Sequence, residues 1–241
     1  MKKYLLILIG FFITVNTYAQ IEITKPIEEY SFNKTTIVYD EAGYKSTYAK
    51  WSKLLAGGNY RLKPIHHDSD STGFVLTKRD EAAEDKYSAT LPKPVETKFF
   101  KTGEVFRFRK YIDVNGVTLT PEDLKGKIVV LNFWFIACPP CRYEMPELSR
   151  LVAKYKDDKD VVFIAITFDK KSDVDRFLKV SPFKYHIVSD SMPLFYYYGV
   201  DECPASLVVD KSGMIKFNSQ GYGEGNVPYW IKKTIEEVKK F

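Results

Sequence analysis

Apolar positions along this chain come in long runs separated by mixed segments. Residues 128–137, IVVLNFWFIA, are apolar almost without a break, and residues 161–168, VVFIAITF, repeat the pattern. Bounded runs of this kind predict strands buried on both faces of a sheet; the limits read here are Lys127–Phe135 and Val161–Phe168. Between them, Pro139 to Lys156 predicts a helix, with Pro146 inside it as a kink and the pattern resuming at Leu148 and Leu151. Ser172–Val180 predicts a helix capped by Ser172, Tyr185–Val188 a short strand and Pro193–Tyr198 a short helix. Ala205–Val209 and Met214–Phe217 flank the turn Asp210-Lys211-Ser212-Gly213, and Gly225–Phe241 closes as an amphipathic helix. Upstream, Phe106–Val114 and Val117–Leu119 flank Asn115-Gly116, a strong hairpin signal. Thr120 then caps a helical turn opened by Pro121. The alternation predicts an α/β fold, a mixed central sheet with helices on both faces, over residues 105–241.

Residues 20–104 carry a weaker pattern. Thr35–Asp40, Tyr60–Pro64 and Phe74–Thr77 read as short strands, and Thr47–Leu55 as a helix ending at Gly57-Gly58. This predicts a small β-rich or α+β region ahead of the larger domain. Lys78 to Thr102, rich in charge and holding Pro92 and Pro94, reads as a linker. There is no internal repeat.

The first nineteen residues read as a secretory signal: Lys2 and Lys3, an apolar core from Leu5 to Val15, and a small-residue cleavage site at Thr17-Tyr18-Ala19. The apolar core is too short for an ordinary membrane span, which takes ~20 residues. The expectation is therefore an exported protein of the periplasm or cell envelope, starting at Gln20 with no membrane span. Losing Lys2 and Lys3 takes the formal charge from +5 to +3. Basic and acidic residues are interspersed, which argues against nucleic acid as a partner. His66-His67-Asp68 lacks a spaced partner set, so no metal site is read from it.

Three cysteines in an exported chain are too few for a disulfide scaffold. Two of them, Cys138 and Cys141, form Cys-Pro-Pro-Cys at the junction of the first apolar run and the following helix. A lone Cys-x-x-Cys could be half of a zinc site, but no second pair or spaced histidines accompany it. Its placement points to thiol–disulfide chemistry, with no cofactor. Only a thiolate attacks a disulfide, so one thiol must be acidic and reachable. Cys138 is expected at the helix N-cap, in the field of the helix dipole. Pro139 and Pro140 have no N–H, so the first remaining donor in that turn is Cys141. Fewer donors for the thiolate predict a modestly acidic nucleophile and a fairly reducing couple. Glu144, one turn after Cys141, is a candidate base for the Cys141 proton; the alternative is an exposed Glu that complements the dipole.

These residues resemble the thioredoxin superfamily, in particular the TlpA/ResA-like periplasmic thiol-disulfide oxidoreductases. The resemblance is carried by LKGKIVVLNFWFIACPPCRYEMP, FIAITFD and YYGVDECPASLVVDKSGMIKF, and runs from about Phe106 to Phe241. It implies a thioredoxin-like fold, with residues 172–188 as the family's extra helix and strand. It implies catalytic Cys138 and Cys141, with Glu144 close to both. It implies a cis-proline at Pro204 facing the pair, where a client chain is bound, so Cys203, Pro204 and Trp134 are expected at the substrate side, the alternatives being core packing for Trp134 and an inert buried thiol for Cys203. The chain departs from the pattern in three places. Cys203 stands where Thr, Ile or Val is usual, Asn132 where thioredoxins carry a buried Asp, and Ala137 where a Trp is typical.

The implied activity is reduction or exchange of disulfides in exported proteins, with re-reduction by a membrane thiol carrier and cytochrome c maturation among the implied contexts. Two alternatives stand beside it. One is a partner-binding envelope module on a thioredoxin-like scaffold. The other is a thiol peroxidase, for which related folds place Thr three residues before the reactive Cys; here that residue is Phe135.

Overall fold

The structure is a computed structural model that describes residues 34–56, 59–65 and 73–240. The signal segment, the Gly57-Gly58 turn and His66-His67-Asp68 lie outside the described residues. The front region contains β1 (Val38–Tyr39), β2 (Lys45–Ser46), α1 (Tyr48–Ala56), β3 (Tyr60–Ile65) and β4 (Gly73–Lys78). Its four strands form a sheet in the order β2-β1-β4-β3. Val38, Trp51, Phe74 and Leu76 make its own small core.

Residues read as a linker are structured. α2 (Glu81–Ser88) is capped by Asp80, whose side chain accepts from the Ala83 N–H at 3.0 Å. No residue of α2 is buried, and the helix is fastened by ion pairs instead. Lys232 bridges Glu81 and Asp85, and Lys154 reaches Glu81 at 2.9 Å. Just ahead of it, Arg79 donates to Glu84 and forms a two-pronged pair with Glu147 at 2.6 and 3.1 Å. Arg79 therefore ties the front region to the helix that carries Glu144. Arg79→Met is expected to cost about 2 kcal/mol, the scale of hydrogen bonds to a partly buried charge, read as a lower urea midpoint at unchanged slope.

The larger domain follows with β5 (Tyr111–Ile112), β6 (Thr118–Leu119), α3 (Pro121–Leu124), β7 (Ile128–Trp134), α4 (Pro139–Lys154), β8 (Val161–Thr167), α5 (Lys171–Leu178), β9 (His186–Val188), α6 (Met192–Tyr198), β10 (Ala205–Val209), β11 (Ile215–Gln220) and α7 (Val227–Val238). The central sheet runs β11-β10-β7-β8-β9. β7, β8 and β9 are parallel, while β10 is antiparallel to both β7 and β11. All seven residues of β7 are buried. Alternate side chains serve two cores: Ile128, Val130 and Trp134 pack with α4 and α7, and Val129, Leu131 and Phe133 pack with Phe100, Phe106 and Phe195. This is the mixed sheet with helices on both faces that the apolar runs predict.

Local differences from the expectations have identifiable causes. Only Tyr111–Ile112 pairs with Thr118–Leu119, because the earlier part of the expected strand is engaged elsewhere. Val105 bridges Met214, and the Phe106 N–H donates to the Gly213 carbonyl at 2.8 Å. Gly116 turns the hairpin at φ +83°, and Asp113 accepts from the N–H groups of Asn115 and Val117. Ser172 is not the cap of α5. The helix begins at Lys171, whose N–H is met at 2.9 Å by Asp190 from the end of β9. α4 continues through Pro146 to Lys154.

Candidate active site

The site forms where β7 leaves the sheet. The chain turns over Phe135–Cys138, closed by the Cys138 N–H on the Phe135 carbonyl at 3.2 Å, and enters α4. Cys138 is the N-cap residue, with extended φ −96°, ψ 102°. Pro139 and Pro140 offer no donor, and the Cys141 N–H points at the Cys138 sulfur at 3.2 Å. The two cysteines are joined as a disulfide across the first turn, their Cα atoms 5.3 Å apart.

Reachability needs a correction. In this disulfide state Cys138 is 2% and Cys141 1% exposed. Both belong to the apolar cluster beneath α4, while Ala137 and Pro139 on either side of Cys138 face solvent. In this state Cys138 is nearly closed to solvent, so a partner meets it at a buried position between two exposed neighbours.

Glu144 is not the exposed first-turn residue of the alternative reading; it is 1% exposed. Its Oε1 accepts from Asn132 Nδ2 at 2.9 Å, and the same amide donates to Ser206 Oγ at 3.0 Å. Oε2 has no hydrogen-bond partner among the described residues. Burial pushes the carboxyl up to about 8, opposed by the bond from Asn132. A proton is thus held near neutrality on the helix face that carries Cys141, with Asn132 on β7 and Ser206 on β10 fixing its orientation.

The Cys203–Pro204 peptide is cis, and the Pro204 carbonyl accepts from the Gly221 N–H at 2.8 Å. Cys203 is half-buried and unpaired, and packs against both cores, including the one that holds Cys138 and Cys141. Burial, backed by the charges of Glu144 and Asp169, pushes its thiol up to about 12. Cys203 thus packs against the cluster that holds the redox pair and is kept as a neutral thiol. Trp134, expected at the substrate side, is fully buried. It sits 5.6 Å from the Phe177 ring and 5.8 Å from Phe183, a floor under the site rather than a wall of it.

His186 has a plain role: its Nδ1 lies 2.8 Å from Asp113, joining β9 to the hairpin loop. Among the described residues, no group of three or more His, Cys, Asp or Glu could hold a metal ion, and no helix is long and apolar enough to cross a membrane.

One residue at this rim escaped the pattern-based reading. Asp169, directly after β8, accepts from the Ile136 N–H at 2.7 Å and so grips the turn that leads to Cys138. The available signal was an acid at the carboxyl end of a central parallel strand, where sheets of this type build their sites.

Residues 103–218 match the model of the AhpC/TSA family. The match takes in 116 of the 241 residues, the part of the chain with the thioredoxin-like fold. The thioredoxin-like domain is similar to the thiol-disulfide oxidoreductase ResA of Bacillus thuringiensis (strain Al Hakam), with 37% identity over 105 residues, 43% of this chain and 60% of that protein. The match thus spans about three-fifths of the relative's own length. In structure, it is similar to a disulfide isomerase candidate from Bacteroides thetaiotaomicron, at TM-score 0.54 and 23% identity, covering 61% of this chain and 95% of the other. A candidate thiol:disulfide interchange protein DsbE from Chlorobium tepidum gives TM-score 0.52 and 24% identity over 58% of this chain and 98% of its own. These two likenesses carry the fold of the thioredoxin-like domain.

Proposed function

We propose that the chain is a thiol-disulfide oxidoreductase, acting on disulfides of exported proteins through Cys138 and Cys141. The observation that supports it most is a disulfide closed across the first turn of α4, with Glu144 buried on the same helix and high in pKa. In this reading residues 1–19 are a cleaved signal, residues 20–104 an added front region and residues 105–241 the redox domain of an envelope protein.

The reaction starts from the dithiol. The Cys138 thiolate, favoured by its N-cap position and the Cys141 N–H, attacks a client disulfide. One client sulfur bonds to Cys138 and the other leaves as a thiolate that takes up a proton. Cys141 then gives its proton to Glu144 in its ionised form and attacks Cys138, and the second client sulfur leaves as a thiolate that takes that proton from Glu144. The client gains two electrons and two protons, and the Cys138–Cys141 disulfide remains. A carboxyl titrating at about 8 exchanges protons readily in the neutral range, which suits this transfer. Cys203 and Pro204 are the residues proposed to meet the client chain, with Trp134 beneath. A membrane thiol carrier is the proposed source of electrons, and apocytochrome c thiols are among the clients the reading admits.

The test is direct. With dithiothreitol as donor the protein is expected to accelerate the reduction of insulin disulfides. The two prolines leave the Cys138 thiolate poor in donors, so the couple is expected nearer the thioredoxin value of about −270 mV than that of a strong oxidant, about −120 mV. Equilibration with glutathione measures it. A couple near −120 mV, or no effect on insulin, overturns the assignment as a reductase.

A further inference from the structure

We propose that Asp169 is a positioning residue of the redox site: its carboxylate fixes the turn that delivers Cys138 and sets the charge at the sulfur-bearing rim. This rests on the oxidoreductase reading and extends it to a residue outside the Cys-Pro-Pro-Cys helix.

The geometry is specific. One oxygen, Oδ2, accepts from the Ile136 N–H at 2.7 Å and from Thr167 Oγ1 at 2.7 Å. Thr167 is fully buried in β8, and its hydroxyl in turn accepts from the Asp169 N–H at 3.1 Å. The Asp169 carbonyl accepts from the Asp190 N–H at 2.8 Å, which secures the same loop to the end of β9. The carboxylate is therefore held by β8 and reaches across to the exit of β7, while the backbone of the same loop is tied to the segment after β9. Ile136 is two residues before Cys138, in the turn closed by the Cys138 N–H on Phe135. Losing the grip on Ile136 frees the turn that keeps the Cys138 sulfur opposite the Cys141 N–H.

The second effect is electrostatic. Cys203 lies in the field of two acids, Glu144 from α4 and Asp169 from the end of β8, and packs against the cluster that contains Cys138 and Cys141. Two cations of the flanking helices are turned to other groups, Arg142 at 6.0 Å over the Phe177 ring and Lys171 paired with Asp175 at 2.7 Å, while Lys170, next to Asp169, is exposed. A negative charge at this rim disfavours thiolates. The carboxylate that grips Ile136, two residues before Cys138, is proposed to act on the Cys138 thiolate in the same sense, so the pin and the charge have opposite sign. The pin stabilises it through the N-cap geometry, and the charge destabilises it.

Two substitutions separate them. Asp169→Asn keeps an acceptor for the Ile136 N–H and removes the charge; Asp169→Ala removes both. Each is made in full-length protein with Cys203→Ser, reduced, and alkylated with iodoacetamide across pH, with Cys138 followed by mass. Asp169→Asn is expected to lower the pH midpoint of Cys138 alkylation, raising the rate at pH 7 about threefold, less than the ~tenfold of a charge in direct contact. Asp169→Ala is expected to show a midpoint above that of Asp169→Asn, because the turn is freed. A merely structural residue would lower thermal stability in both variants without ordering the midpoints this way. An unchanged or higher midpoint in Asp169→Asn, or an Asp169→Ala midpoint at or below it, overturns the proposal. Alkylation involves no client, so failure of the wild type to reduce insulin would strike the proposed activity and leave this result standing.

Discussion

Cys138→Ser is expected to reduce insulin disulfides no faster than dithiothreitol alone, while Cys141→Ser accumulates a mixed disulfide. The asymmetry follows from position. Cys138 is the N-cap, where the helix dipole and the Cys141 N–H both favour a thiolate. Cys141 lies inside the first turn of α4, without the N-cap position, and acts on the sulfur already bonded to Cys138. Without Cys138 no bond to the client forms. Without Cys141 the bond forms and is not resolved, so the client remains attached and can be identified by mass. Equal trapping by both serine variants would mean that Cys141 also attacks clients, contrary to the advantage of the N-cap position.

Glu144→Gln carries the second large effect. Loss of a positioned proton acceptor is expected to slow insulin reduction about a hundredfold at neutral pH, at the lower end for general acid–base catalysis. It is also expected to remove an inflection near pH 8 from the rate profile. The same carboxyl leaves a trace on the stability of the oxidised protein. Unfolded, it titrates at its ordinary 4.5; folded, at about 8. Below 4.5 both states hold the proton. As pH rises from there to about 8, the folded state keeps a proton the unfolded state has released, so stability falls through this window and levels off above it. Glu144→Gln has nothing to titrate, and its urea midpoint is expected to lose this decline. Persistence of the full decline in Glu144→Gln would place the titrating group elsewhere.

Much of this was legible from pattern. β7 and β8 announced themselves because uninterrupted apolar runs bounded by turns have few other uses, and the N-cap position of Cys138 followed from where the first run stops. α2 was invisible for the opposite reason. It buries nothing, so it has no apolar stripe, and it is fastened by Lys232 and Lys154, distant residues that no local pattern predicts. The cap of α5 was misread because its first N–H is met by Asp190, nineteen residues on. For Glu144, spacing placed it beside Cys141 but could not choose between a buried base and an exposed dipole partner. Packing between Asn132 and the core decides it. Asp169 acts through a backbone N–H thirty-three residues away, a contact that leaves no periodic signal.

The bonds from the Gly103 and Phe106 N–H groups to β11 and its turn, with those returned by Ile215 and Gln220, occupy the outer margin of the central sheet. The opposite margin, three residues long, receives Val114 at Ile187 and His186 against Asp113. Within the described residues, neither flank is left as a bare ladder on which a foreign chain could zip itself up. Visitors are thereby steered away from the sides and toward the top of the strands, the end at which the sulfurs wait.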